Sequence, residues 1–232
     1  MASTAGQAPA PALRAVLIPH DPIRGALHAL TRGAVYGMFA DLVALPNDGT
    51  TIADRFEQAY NLASTVPARL PYPWSPALLL GAVAAARELD ETQLAATSRA
   101  LFPGVPEDAR PLLCEAPAWR DDPLAASRLQ REYDRHDYIA DPAFPPDHLS
   151  VQLGFLRHLC EQQAELGTPD EHGRARALQR EFLTGHLLQW VPRLAAAVAR
   201  CDADLRRVYR GVLEALAQWL HKDEHWLAQQ AA

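Results

Sequence analysis

Lysine is all but absent from this chain. Of 22 basic residues in 232, only Lys222 is a lysine and the other 21 are arginines. A coding bias accounts for that preference without invoking function. Cysteine is scarce as well: Cys114, Cys160 and Cys201 are odd in number and form no CxxC pair. A disulfide framework is thereby excluded, and a reducing cytoplasm is the expected setting. Apolar runs are short, the longest being Ala77 to Ala86, which excludes a bilayer-spanning helix. Positive charge is outweighed, 28 acidic residues against 22 basic, so the concentrated cationic surface of a nonspecific nucleic-acid binder is lacking. Met1 to Pro11 has no basic segment followed by an apolar run; residues 1–20 read as a disordered leader rather than a secretory signal.

Catalytic signatures are missing too. Nine histidines include no HExxH pair, and no His/Cys cluster repeats a zinc-ligand spacing. His136, His148, His158, His172 and His186 fall on different predicted elements. There is no GxSxG elbow, no P-loop and no GxGxxG cradle. No metal, cofactor or catalytic residue is expected.

What is present is helix. Alanine and leucine dominate and β-branched residues are few, which favours helix over sheet. Asp21-Pro22 opens a first helix with Ile23, Leu27, Leu30, Met38 and Leu42 on an apolar face. Pro46 to Gly49 is a turn, and Thr51 caps a second helix bearing Ile52, Phe56 and Ala63. Pro67 to Pro76 is a proline-rich loop. Ser75-Pro76 starts a third helix to about Leu89, and Asp90 caps a fourth ending at Leu101-Phe102. Pro103 to Asp122 reads as a long loop. Further helices span about Pro123 to Tyr138, Asp147 to Leu166, a segment with Leu183, Leu187, Trp190 and Leu194 that Pro192 should kink, and a last one from Asp202 or Asp204. The expectation is one all-α domain over residues 21–232, of roughly eight to eleven helices, with a hinge at Gly167 to Asp170.

The most informative stretch is Phe144-Pro145-Pro146-Asp147-His148-Leu149. Two prolines exclude helix, yet Leu149, Leu153, Leu156 and Cys160 then recur at the spacing of one helical face. A rigid turn thus delivers an acid and an imidazole to a helix start. Two readings stand. Asp147 is an N-cap accepting the amides of Leu149 or Ser150, or Asp147 and His148 are a functional pair, histidine titrating near neutral pH.

These pieces together resemble the TorD/DmsD/NarJ family of molybdoenzyme maturation chaperones. Phe144 to Leu149 with Gln152-Leu153-Gly154-Phe155-Leu156 is similar to the family's Pro-x-Asp-His block and following helix. Phe182-Leu183-Thr184-Gly185-His186-Leu187-Leu188-Gln189-Trp190 resembles its Phe-Leu-x-x-His-Leu-x-x-Trp signature. Arg32 to Tyr36, Arg99 to Gly104 and Val208 to Leu213 resemble further elements, so the likeness runs from about residue 22 to 227. Asp137-Tyr138 departs from it, for relatives tend to carry glycine there, and Cys114-Glu115-Ala116 replaces a Tyr-Glu-Ser-like element.

The resemblance implies a TorD-like fold and a non-catalytic cytoplasmic function. Such a protein binds the N-terminal, commonly twin-arginine, signal peptide of an apo-molybdoenzyme catalytic subunit and holds the subunit for molybdopterin insertion before export. An arginine pair beside an apolar segment calls for carboxylates beside an apolar groove. Glu115 and Asp147 are the expected acidic residues, with Pro146 and His148 in the pre-organised turn, and Tyr36, Leu101, Phe102 and Trp119 are the expected apolar wall. No nucleic acid and no stable membrane insertion enter this reading; a domain-swapped homodimer hinged at residues 167–170 is an arrangement it allows. The alternatives are a small-molecule or nucleotide-binding protein using Asp147 and His148, and a plain helical adaptor.

Overall fold

The computed structural model describes residues 22–44, 49–99, 113–115, 124–201 and 203–230. Nine α-helices lie among them: α1 (Pro22–Leu42), α2 (Ile52–Thr65), α3 (Ala77–Ala86), α4 (Glu91–Arg99), α5 (Ala125–Arg135), α6 (Leu149–Ala164), α7 (Pro169–Phe182), α8 (Leu188–Val198) and α9 (Ala203–Gln230). No strand is formed by the described residues, and the all-α expectation holds. None of these helices is long and apolar enough to cross a membrane. The turn at residues 46–48, the loop over 103–112 and residues 1–21 lie outside the described residues.

Local chemistry sets most of the boundaries. Thr51 accepts the Asp54 amide while Asp54 accepts the Thr51 amide, a capping box that starts α2 as the sequence implies. Asp90 and Gln93 exchange the same pair of bonds ahead of α4. Thr168 and Glu171 do so for α7, with Pro169 at the first helical position. The proline-rich segment after α2 is not wholly extended, since Val66–Arg69 makes one 3₁₀ turn before the chain runs out to Pro76. The helix expected to kink at Pro192 breaks earlier: Leu183–Leu187 form a π turn between α7 and α8, and Pro192 sits inside α8. Pro192 cannot donate to the carbonyl four residues back and its ring crowds that carbonyl, and the preceding wider turn is where the ladder readjusts.

α5 ends by a left-handed residue. His136 is the C-cap and Asp137 follows with φ +52°, while the Tyr138 amide reaches back to the Tyr133 carbonyl at 3.0 Å. Glycine is the residue that adopts this backbone without a Cβ penalty, and aspartate is among the few others that tolerate it.

α6 forms the centre of the molecule against α1. Leu149, Leu153, Leu156 and Cys160 are all fully buried, the face that the spacing implies. The two helices approach closely at Gly33, where a Cβ would stand 3.1 Å from the Cys160 Cβ. α3 meets α9 in the same way, and a Cβ on Gly211 would lie 2.8 Å from the Leu78 carbonyl oxygen. The first half of α1 departs from expectation. Met38 and Leu42 are buried, but Ile23, Leu27 and Leu30 are 80 %, 48 % and 50 % exposed.

A charged network ties these helices inside the core. Arg32 of α1 grips Asp223 of α9 with two bonds, Nε to Oδ1 at 2.6 Å and a terminal nitrogen to Oδ2 at 2.8 Å. Both side chains are fully buried. Tyr36 and Tyr72 add their hydroxyl protons to the same carboxylate. Arg32 also donates to Gln179 of α7 at 2.7 Å, and Gln179 donates to Gln163 of α6 at 2.9 Å. Gln163 meets His172 Nδ1, whose other nitrogen donates to the Leu166 carbonyl. Burial alone would lower the Arg32 pKa; the Asp223 carboxylate more than offsets it and holds the guanidinium charged. Rings wrap the network: Tyr36, Tyr72 and Trp74 each contact Trp219, and Arg32 lies 5.0 Å from the Trp226 ring centre.

Two substitutions test this account. Asp223→Ala should cost roughly 3–5 kcal/mol in urea unfolding, because it strands a buried guanidinium, whereas the double change Arg32→Met/Asp223→Leu should cost much less than two independent losses. Asp137→Gly should be neutral to stabilising by about 1 kcal/mol as the left-handed strain is relieved; a clear drop in melting temperature would contradict the role given to that backbone.

Candidate functional site

The Pro-Pro turn is built by hydrogen bonds that prolines cannot themselves donate. Asp141 accepts the Ala143 amide on its side chain and the Phe144 amide on its carbonyl. Pro145 accepts the His148 amide at 2.9 Å, and the Tyr133 hydroxyl donates to the Pro146 carbonyl at 2.8 Å. Pro146 itself is only partly buried. The Phe144 ring stacks on the His148 imidazole at 4.5 Å.

The turn is then sewn to a distant segment. Leu113 to Glu115 runs antiparallel to it in a single bridge between Cys114 and His148. The Glu115 amide donates to the Asp147 carbonyl at 3.0 Å, and the Leu149 amide donates to the Leu113 carbonyl at 2.7 Å. That backbone pairing places the Glu115 side chain, fully buried, beside α6 and the π turn. Gln152 donates to Glu115 at 3.0 Å and to the Asp147 carbonyl at 3.1 Å, and His186 Nδ1 stands 3.1 Å from the Glu115 carboxylate. His186 is partly exposed, while its partner is sealed. The π turn brings His186 here, and its ring packs on Phe182 at 4.8 Å.

The cap on α6 is not Asp147. His148 is the N-cap residue: its Nδ1 accepts the Ser150 amide at 3.2 Å and meets the Ser150 hydroxyl at 2.7 Å. The Leu149 amide, assigned in sequence to Asp147, goes instead to Leu113. The Pro145 bond and the bridge turn His148 inward over the helix end, and an acceptor nitrogen there does the work of an aspartate oxygen. Burial lowers the His148 pKa to about 4, so the ring is neutral across the physiological range. A group that is fully buried, neutral and already committed as a cap is poorly placed for general acid–base catalysis at neutral pH. The Cys114 thiol is pushed up to about 12 by burial and by the Asp147 charge, which makes it an inert thiol.

The sequence-expected site residues therefore separate. Glu115, Asp147 and His148 come together beneath the turn, with Pro146 at its surface, but the three ionisable groups are buried. Tyr36 is fully buried elsewhere, in the Arg32–Asp223 network. Leu101, Phe102 and Trp119 lie outside the described residues. Sequence reasoning missed Gln152 and His186 as partners of Glu115, although both stand in the quoted motif blocks. Among the described residues no cluster of His, Cys, Asp or Glu is arranged to hold a metal ion.

An open apolar stripe lies on α1. Ile23, Leu27 and Leu30 line up at i, i+4 and i+7 and lead to Ala34. Leu30 and Ala34 border a cavity of about 380 Å³ between α1, α2 and α6, which Asp41, Arg157 and Glu161 also line. Arg157 is ion-paired with Glu161 at 2.7 Å.

The neutral cap has a measurable consequence. An unfolded histidine binds a proton near pH 6.5, while His148 in the folded protein refuses it until about pH 4. Stability from this group is complete above pH 6.5 and is lost as pH falls from 6.5 to 4, by something on the order of 3 kcal/mol. His148→Asn, which keeps a capping acceptor without a titrating group, should flatten that part of the stability profile; an unchanged slope would remove His148 as its source.

The nitrate reductase delta subunit family matches residues 70–196, which hold the turn, α6 and the π turn. Chaperone protein TorD of Vibrio cholerae serotype O1 (El Tor Inaba N16961) is 30% identical over 83 residues, 36% of this chain and 37% of that protein. Chaperone protein TorD of Vibrio atlanticus is 27% identical over 106 residues, 44% of this chain and 48% of that protein. The aligned region thus spans less than half the length of these curated relatives. No solved structure matches the chain significantly. With the family pattern covering more than half of its length and TorD chaperones among its relatives, this chain belongs to the nitrate reductase delta subunit (TorD/DmsD/NarJ) family.

Proposed function

We propose that this protein is a cytoplasmic maturation chaperone for a molybdoenzyme. It binds the N-terminal, twin-arginine signal peptide of the apoenzyme's catalytic subunit and holds that subunit for molybdopterin insertion before export. The observation that carries this reading is family membership together with relatives named TorD chaperones. The exposed stripe on α1 supports the peptide-binding part: three large apolar side chains on one helix face give a segment of a signal peptide something to bury. Asp41 and Glu161 line the adjoining cavity, Glu161 paired with Arg157.

In this reading the sequence-expected residues divide by role. Pro146, at the surface of the turn, contacts the peptide, and the resemblance assigns Leu101, Phe102 and Trp119 to the same task. Glu115, Asp147 and His148 act from beneath, fixing the turn and the 113–115 segment, and Tyr36 fixes the α1 helix that bears the stripe. A pre-organised receptor of this kind lowers the ordering cost of binding.

Calorimetry with the signal peptide of the cognate oxidoreductase tests it. Wild type should bind, and Leu27→Asp/Leu30→Asp should weaken binding at least tenfold, the loss of roughly 1.4 kcal/mol or more of apolar contact. Both positions are exposed, so the melting temperature should scarcely change. Asp147→Ala should lower stability first and affinity only as far as the turn loosens. Failure of the wild-type protein to bind any signal peptide from its molybdoenzyme would sink the reading.

A further inference from the structure

A second cavity, of about 300 Å³, opens between the loop before α3 and the C-terminal part of α9, away from the Pro-Pro turn. Tyr72, Pro73 and Trp226 form its apolar walls, and His221, Lys222 and His225 stand at its rim with Gln229. The two rings are in tilted contact, their centres 5.9 Å apart and their planes inclined at 44°, and both border the cavity at this corner. Each ring is held in place before any ligand arrives. The Tyr72 hydroxyl is committed to Asp223 at 2.6 Å, and Trp226 packs against the Arg32 guanidinium.

The charge around this corner has one sign. Asp223, the acid nearest in sequence, is fully buried and neutralised by Arg32, and Glu224 is paired with Arg180 at 2.8 Å. Among the described residues no carboxylate lines the cavity. The chain's only lysine is here, in a protein of net charge −6. Its ammonium donates one proton to the Pro73 carbonyl at 3.0 Å, so it is positioned over the corner while two further N–H groups remain for an acceptor. His221 Nδ1 donates to the Ala217 carbonyl at 2.8 Å, which fixes the ring and leaves Nε2 for a ligand. Aromatic walls with a fixed cation at the edge recognise a ring that carries a negative group.

We propose that the Tyr72–Trp226 corner, with Lys222 at its rim, is a binding site for a small planar aromatic anion. The ring packs on the Tyr72 and Trp226 faces, and the anionic substituent meets Lys222. Because Tyr72 and Trp226 also touch Asp223 and Arg32, an occupied corner braces the middle of α1 against the C-terminal part of α9. This site does not depend on the signal-peptide reading.

Naphthalene-2-sulfonate is a suitable probe, with naphthalene-2-sulfonamide as the neutral ring and cyclohexanesulfonate as the anion without an aromatic ring. On the full chain, ¹H–¹⁵N spectra should show the Trp226 indole signal shifting with the sulfonate, and both controls should bind at least fivefold more weakly. Lys222→Gln, at an exposed position, should weaken the sulfonate about fivefold and leave the sulfonamide unchanged. Trp226→Leu should abolish the preference for an aromatic ring; if that variant does not fold, the Lys222 and control-ligand arms still decide. Equal binding of sulfonate and sulfonamide, an unmoved Trp226 signal, or unchanged affinity in Lys222→Gln would overturn the proposal.

Discussion

The Arg32–Asp223 pair holds the first and last helices of this protein together, and much of the rest is arranged around that contact. The two residues are 191 positions apart in sequence and fully buried. Two charges removed from water are tolerable only if their remaining hydrogen-bonding capacity is met. Two tyrosine hydroxyls on the carboxylate and a glutamine on the guanidinium meet it. Those partners come from α1, α7 and the loop before α3, and Gln163 extends the network to α6. A pair of this kind adds little net stability over a well-packed apolar core. It penalises other packings strongly, however, because any shift of α9 against α1 would leave a charge stranded.

The second polar cluster works by a different device. Glu115 is positioned by backbone pairing between two loops, the bridge of Cys114 with His148. Gln152 then comes from α6 and His186 from the π turn. Two blocks that are distant in this sequence, one holding Asp147 and Gln152 and the other His186, thus meet at one buried carboxylate. Their shared physical task is to hold the turn over the start of α6. A neutral, fully buried imidazole serves that task well and suits proton transfer at neutral pH poorly. In the readings proposed above, recognition falls to surfaces instead: the α1 stripe for an apolar segment, and the Tyr72–Trp226 corner for a small ring.

Much of the fold was legible in the chain. The caps at Thr51 and Asp90 and the Leu149 to Cys160 stripe are local signals, and local physics decides them; the break expected at Gly167 to Asp170 instead begins α7. The network was half legible. Arg32 interrupts the buried face of α1 between Ala29 and Tyr36, and Asp223 does the same between Leu220 and Leu227 of α9. A charge on an apolar face announces a buried partner but not which one, since periodicity fixes a face and says nothing of what it meets. The same limit explains Ile23, Leu27 and Leu30: their spacing marks a common face, and only packing reveals that the face stays open.

At the candidate site the residues were legible and their roles were not. Asp147 looked like the cap because aspartate is the commoner capping residue, but the Pro145 bond and the bridge to Leu113 rotate His148 into that place. The sequence by itself determined an all-α chain, the starts of α1 to α4, its Pro-Pro turn and the blocks that mark its family. These depend on propensity, capping and spacing within a few residues. Only the tertiary structure decided that Asp147 and His148 are sealed, that Glu115 pairs with His186, that Arg32 pairs with Asp223, and that an apolar stripe and a cationic corner remain open. Those outcomes depend on which distant faces meet and how much water they exclude, and neither quantity is encoded in any single segment.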